Sequence, residues 1–187
     1  MKKIVRNKIV NNKENNMLSN KEERLSLFAD EMSRKSPMIM RHGAICARGN
    51  KIVSRGCNHY RTKFSKMGNK EYCSCHAEMD ALYRLKIKNQ KKRTNNILKS
   101  IKIYVVKTDR NGNYKDSTPC FDCYNYMLKL GIKKIVYSIE GGIVSEKLKN
   151  IKPQKISLGR LFIDKGYKRV FRNNEELYEL VSLNKYK

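Results

Sequence analysis

The chain has 187 residues and a mass of 22.0 kDa, enough for one domain with a real hydrophobic core. Hydrophobic residues make up 40% and charged residues 32%, the net charge is +25, and no apolar run approaches the roughly 18 residues of a membrane helix. That profile excludes a membrane-spanning protein, a collagen and a disulfide-stapled miniprotein.

Residues 1–20 alternate Lys and Asn with few apolar side chains and read as a flexible basic arm. The arm has no apolar leader segment, so a cytoplasmic protein with reduced thiols is expected. Residues 21–34 place Leu25, Phe28, Ala29 and Met32 at i, i+3, i+4 and i+7, which predicts an amphipathic helix ended by Ser36-Pro37. Residues 38–48 and 51–55 are strand candidates around the hairpin signal Gly49-Asn50. Residues 57–72 are polar and read as a loop. A helix is predicted over 75–89 from Ala77, Ala81, Leu82 and Leu85, and 91–96 is a basic break. Residues 101–107 predict a strand, followed by a loop over 108–117 around Asn111-Gly112. Residues 119–130 predict a helix with Thr118 as N-cap, Pro119 in the first helical position and Gly131 closing it. Another strand is expected over 133–137. Beyond Gly141-Gly142, read as a turn, the pattern weakens to a short helix near 144–149 and a helix near 174–183. Strands alternating with helices indicate a layered α/β domain. It is divided into the arm (1–20), a catalytic domain (21–150) and a C-terminal extension packing on that domain (151–187).

The charge has two readings. A basic domain attracts phosphate-bearing partners, either a small nucleotide or a nucleic acid. The surplus is mostly Lys, 29 against 13 Arg, whereas base recognition favours the bidentate Arg fork. A Lys-solvated surface around a small-molecule site is the preferred reading.

Three segments carry chemistry: Gly56-Cys57-Asn58, His76-Ala77-Glu78 and Pro119-Cys120-Phe121-Asp122-Cys123. Cys120 and Cys123, three apart at a helix start, present both sulfurs beyond that end, where the helix dipole favours thiolates. His76 also falls at a predicted helix start. One His and two Cys leave a fourth zinc position open for water, as in catalytic rather than closed structural sites. Glu78, in the first turn, can face the same point and carry a proton from water to a leaving amine. H-x-E followed by P-C-x-x-C is the signature of zinc-dependent nucleobase deaminases.

These segments, with His42-Gly43-Ala44-Ile45 upstream and Gly131-Ile132 leading into Val136-Tyr137, resemble the cytidine and deoxycytidylate deaminase superfamily over about residues 38–137. The resemblance implies a three-layer α/β/α fold with a mixed five-stranded sheet, and zinc between two helix N-termini. It implies His76, Cys120 and Cys123 as zinc ligands and Glu78 as the proton shuttle. Asn58 would bond the nucleotide sugar, and the Ala77 backbone would face the reacting base. The expected reaction is hydrolysis of a cytosine nucleotide, dCMP- or CMP-like, to the uracil form with release of ammonia. The alternative is a cytidine or adenosine deaminase acting on RNA or single-stranded DNA. A non-enzymatic zinc module that holds nucleic acid would explain the charge but not Glu78. The family is usually oligomeric, so a homo-oligomer is expected.

Other residues are weighed against plainer roles. Cys57, His59, Cys73 and Cys75 could hold a second, structural zinc, as in some deoxycytidylate deaminases, or be ordinary loop and core groups. Cys46 reads as core and His42 as a core or turn residue. Tyr60, Tyr72, Tyr124 and Tyr126 could stack on a base, but are commoner as packing groups. Arg61 and Lys63 could meet a phosphate. The run from Lys86 to Arg93 suits a solvated helix end.

Overall fold

The computed structural model describes residues 18–60, 74–88, 98–153, 155–157, 160–161, 167–172 and 175–180. The basic arm up to residue 17, with Arg61, Lys63, Tyr72 and Cys73, lies outside the described residues, as does the end of the 86–93 basic run.

The central strands are buried on both faces, and their alternation sorts the core into two layers. Ala44 and Cys46 of β1 (Arg41–Arg48) share one face with Ile103 and Val105 of β3 (Lys102–Thr108) and with Ile135 and Tyr137 of β5 (Lys134–Ile139). That face packs on α2 (Ala77–Lys88) through Ala81, Leu82 and Leu85, and on α3 (Phe121–Lys129) through Cys123 and Met127. The intervening residues Ile45, Ala47, Tyr104, Val106 and Val136 pack on Leu25 and Ala29 of α1 (Asn20–Ser33). The result is the expected three-layer α/β/α sandwich, with α1 on one side and α2 and α3 on the other.

The sheet order is β2-β1-β3-β5-β6, where β2 is Lys51–Cys57 and β6 is Gly142–Lys147. Neighbours are antiparallel except β3 and β5, which run parallel with α3 in the crossover between them. A sixth, short strand, β4 (Tyr114–Lys115), pairs with the end of β3 inside the expected loop. Among the described residues, no helix is long and apolar enough to cross a membrane.

Several expectations change. Strand β1 starts at Arg41 rather than 38, because Ile39 and Met40 lie on the surface, 64% and 50% exposed. Helix α3 starts at Phe121 with Cys120 as its N-cap. Thr118 is not the cap: its N–H and hydroxyl both donate to Asp116 Oδ1, in an Asx turn two residues earlier. The expected helix near 144–149 is strand β6, joined to β5 by a tight turn with Gly141 at φ 83°, then a 3-10 turn over Leu148–Asn150. The expected helix near 174–183 is a strand as well. Tyr167–Arg172 (β7) and Glu175–Leu180 (β8) form a separate antiparallel pair, whose register sets Lys168 opposite Glu179 and Arg172 opposite Glu175. Cross-strand partners decide this, and periodicity within one segment does not see them.

The start of α1 is tied to the sheet by one carboxylate. Ser19 and Glu22 form a capping box, while Glu22 Oε1 accepts from Lys102 Nζ at 2.6 Å and from Ser145 Oγ at 2.9 Å. Burial alone raises this carboxyl, but the bonds from Lys102, Ser145 and Ser19 hold it at about 2, below its ordinary 4.5. The folded protein therefore binds fewer protons here than the unfolded chain between those two values. Glu22's contribution to stability is complete above its unfolded value and is lost as pH falls towards 2. Wild-type Tm should thus fall more steeply between about pH 5 and about pH 2.5 than that of Glu22→Gln. Parallel melting curves would remove Glu22 from the acid response.

Candidate metal centre

Two helices aim their N-termini at one point. The His76 carbonyl accepts the Asp80 N–H at 3.0 Å, the first bond of α2, so His76 stands at its N-cap position. Cys120 holds the same position on α3, with extended backbone at φ −68° and ψ 165°. An N-cap side chain projects past the helix end. Cys123, one turn along α3, brings the third donor.

His76 Nδ1 lies 3.4 Å from Cys120 Sγ and 3.3 Å from Cys123 Sγ. Among the described residues these three form the one cluster of potential ligands, with donor atoms all within 4.8 Å of one another. The donor set fits zinc. Bonds of about 2.3 Å to sulfur and about 2.0 Å to nitrogen at tetrahedral angles separate the donors by roughly 3.5 Å. His76, Cys120 and Cys123 are therefore positioned as zinc ligands.

The electrostatics agree. A hydrogen bond from Cys123, and then His76, hold the Cys120 thiol far below the thiol range. The same bond to Cys120, with burial, pushes Cys123 up. Burial opposes a charge on His76, yet Cys120 raises it. In the protein alone the imidazole and the Cys123 thiol thus hold their protons beside a Cys120 that gives its own up readily. A divalent cation competes for those same lone pairs.

Glu78 is 5% exposed and lies within electrostatic reach of His76 and Cys120. Burial pushes its carboxyl above the usual range. Ala77 is fully buried between them. Asn58, at the end of β2, is 6% exposed. Its Oδ1 accepts from the His42 N–H at 2.7 Å, and its Nδ2 donates to Met40 O at 2.8 Å and Met38 Sδ at 3.1 Å. His42 Nδ1 lies 3.2 Å from Met40 O, and burial pushes the ring down to about 4.

The other cysteines stand apart from this cluster. Cys46 is core, its thiol pushed up to about 12 by burial. Cys57 lies two residues before a short bridge in which His59 and Cys75 exchange backbone bonds of 3.1 and 2.8 Å. The buried Asp80 gathers this edge: Arg84 Nε at 2.9 Å, Cys57 N–H at 3.2 Å and His59 Nε2 at 3.5 Å. All five described cysteines are free thiols. Tyr124 and Tyr126 pack against the α2/α3 core, and Lys86 lies over the Tyr126 ring.

Three charged residues beside the site were not singled out from sequence: Lys107, Asp116 and Lys155. Lys155 Nζ pairs with Asp116 Oδ2 at 2.6 Å, and the Lys155 carbonyl accepts the Phe121 N–H at 3.0 Å, next to Cys120. Lys107 had a readable signal, since it continues the Ile103, Val105 face by two residues.

The family model described as cytidine and deoxycytidylate deaminase zinc-binding region matches residues 19–139. A search of curated proteins returned no match. Among solved structures, a cytidine deaminase from Burkholderia pseudomallei shares the fold with a TM-score of 0.51 and 18% identity, covering 74% of this chain and 100% of that one. A dCMP deaminase from the cyanophage S-TIM5 aligns with a TM-score of 0.46 and 21% identity, covering 65% and 84%.

Proposed function

This chain belongs to the cytidine and deoxycytidylate deaminase family, and from that premise we propose that it hydrolyses a cytosine nucleotide, dCMP- or CMP-like, to the uracil form and ammonia. The observation that carries the reading is the convergence of two helix N-caps, which brings His76 Nδ1 within 3.4 Å of two sulfurs, with the buried Glu78 carboxyl alongside. Zinc, when held by His76, Cys120 and Cys123, supplies Lewis-acid activation of the attacking water.

The rest falls to the chain. Glu78 takes a proton from the water as its oxygen bonds to C4 of the base and delivers it to N3 as the C4–N3 double bond opens, then carries the remaining hydroxyl proton to the amine as the C4–amine bond breaks and the carbonyl forms. A carboxyl raised by burial suits both halves of that transfer, because its affinity for the proton lies closer to neutrality. Ala77, wholly buried at the first position of α2, presents backbone to the base. Asn58 has both amide hydrogens engaged and one Oδ1 lone pair left. It can accept from a sugar hydroxyl without leaving its own site.

The test is an ammonia-release screen over CMP, dCMP, cytidine, deoxycytidine and short single-stranded DNA and RNA. Turnover of a free cytosine nucleotide, lost on chelation and regained with zinc, is the expected result. Turnover of oligonucleotides alone, with binding that falls steeply with salt, would overturn it.

A further inference from the structure

Beyond the metal centre, the sheet carries a row of cations. In β1–β3 register His42 stands opposite Lys107, and in β3–β4 register Lys107 stands opposite Lys115. Side chains alternate along a strand. His42 lies two residues before Ala44, and Lys107 two residues after Val105, so both stand on the α2/α3 face that holds the zinc ligands. His42 is within electrostatic reach of His76.

The row is fixed by buried hydroxyls. Ser138 Oγ accepts the Lys107 N–H at 2.9 Å and donates to the Lys115 carbonyl at 2.7 Å, and it lies 3.0 Å from Ser117 Oγ. Both serines are buried. On the other side Lys155, whose carbonyl accepts the Phe121 N–H at the start of α3, pairs with Asp116 through its side chain.

The charge balance of this row is incomplete. Lys115 pairs with Glu140 at 3.3 Å, and Lys155 with Asp116. Lys107, half-buried, has no carboxylate within 4.0 Å among the described residues, and it faces Lys115 directly. Like charges at directly opposed positions destabilise a sheet. Burial and then Lys155 push the Lys107 ammonium down, with Asp116 opposing. An anion seated there would relieve the repulsion.

We infer that Lys107, with Lys155 and Lys115 around it, seats the phosphate group of the substrate nucleotide, so that the site selects a phosphorylated cytosine nucleotide over the nucleoside. This rests on the deaminase reading above and deepens it. The phosphate could be that of a free mononucleotide or of a polynucleotide backbone, and the substrates tested separate the two.

Lys107→Ala and Lys107→Arg are compared with wild type on dCMP, deoxycytidine and a short single-stranded DNA. Binding of dUMP and of inorganic phosphate is measured by calorimetry on the same zinc-assayed samples. Losing one charge-assisted contact should lower kcat/KM for dCMP by about 10- to 100-fold, while deoxycytidine changes by less than about threefold. Lys107→Arg should recover most of the loss, and dUMP binding should weaken in parallel with kcat/KM. A matching loss for the oligonucleotide alone would assign the seat to a polynucleotide backbone. Equal losses for dCMP and deoxycytidine, or unchanged dUMP and phosphate binding in Lys107→Ala, would overturn the inference. If no cytosine substrate is turned over, the deaminase reading fails, and the calorimetry still decides whether Lys107 holds phosphate.

Discussion

Glu78→Gln should leave a folded protein that holds zinc at wild-type stoichiometry and releases ammonia about 10²- to 10⁴-fold more slowly. The amide keeps the volume and the planar shape of the side chain but cannot accept the proton of the attacking water. His76, Cys120 and Cys123 are untouched, and Glu78 is not one of the clustered donors, so metal content should not change. The carboxyl is buried and costly to ionise there, so the neutral amide should melt no lower than wild type in the metal-free protein. Cys120→Ser should give the opposite pattern. It removes one of three donors, so zinc is lost together with turnover. Metal analysis beside an ammonia assay separates the two variants. Turnover of Glu78→Gln within tenfold of wild type would take the proton shuttle away from this residue.

That contrast relies on a site whose ligands were legible in sequence, for a local reason. Cys120 and Cys123 sit within one helical turn, and His76 and Glu78 within another, so the spacing specifies which atoms each turn presents, while the H-x-E and P-C-x-x-C signature is what joins the two turns. The layered core was equally legible. Ile103, Tyr104, Val105 and Val106 read as one short apolar run rich in β-branched and aromatic residues, which suits a strand, and the structure covers it on both faces. Elements defined by long-range partners were not legible. Strand β6 exists because residues 142–147 lie along β5, and β8 because residues 175–180 lie along β7. Their own side chains fit a helix about as well. The N-cap of α3 shifted from Thr118 to Cys120 because Asp116 captures the Thr118 hydroxyl first. The cationic row escaped notice because His42, Lys107 and Lys115 meet only through strand register.

The other large effect concerns a residue with no side chain. Gly56 lies on β2 where α2 crosses it. A Cβ there would stand 2.4 Å from the Ala81 nitrogen and 2.8 Å from the Ala77 oxygen, both backbone atoms of the first turns of α2. No rotamer change can relieve a clash with backbone, so the helix itself must lift. Gly56→Ala should therefore cost about 3 kcal/mol, the upper end for overpacking, and lower Tm by roughly 6–12 °C. Because His76 caps that helix, the lift also carries an imidazole away from Cys120 and Cys123, and zinc affinity of the folded fraction should fall. Gly43→Ala supplies the control. Its Cβ would meet Ala29 O at 2.1 Å and Ser33 N at 2.2 Å, on the α1 side of the sheet. It should destabilise at least as much while leaving zinc affinity of the folded fraction close to wild type. Gly112, at φ +86° with nothing within 4 Å of its virtual Cβ, should cost only about 1 kcal/mol on change to Ala, from left-handed backbone strain. Thermal melts and zinc titrations of the three variants check the order. Wild-type melting of Gly56→Ala would mean that α2 is not seated against β2 here, and the placement of His76 would lose its support.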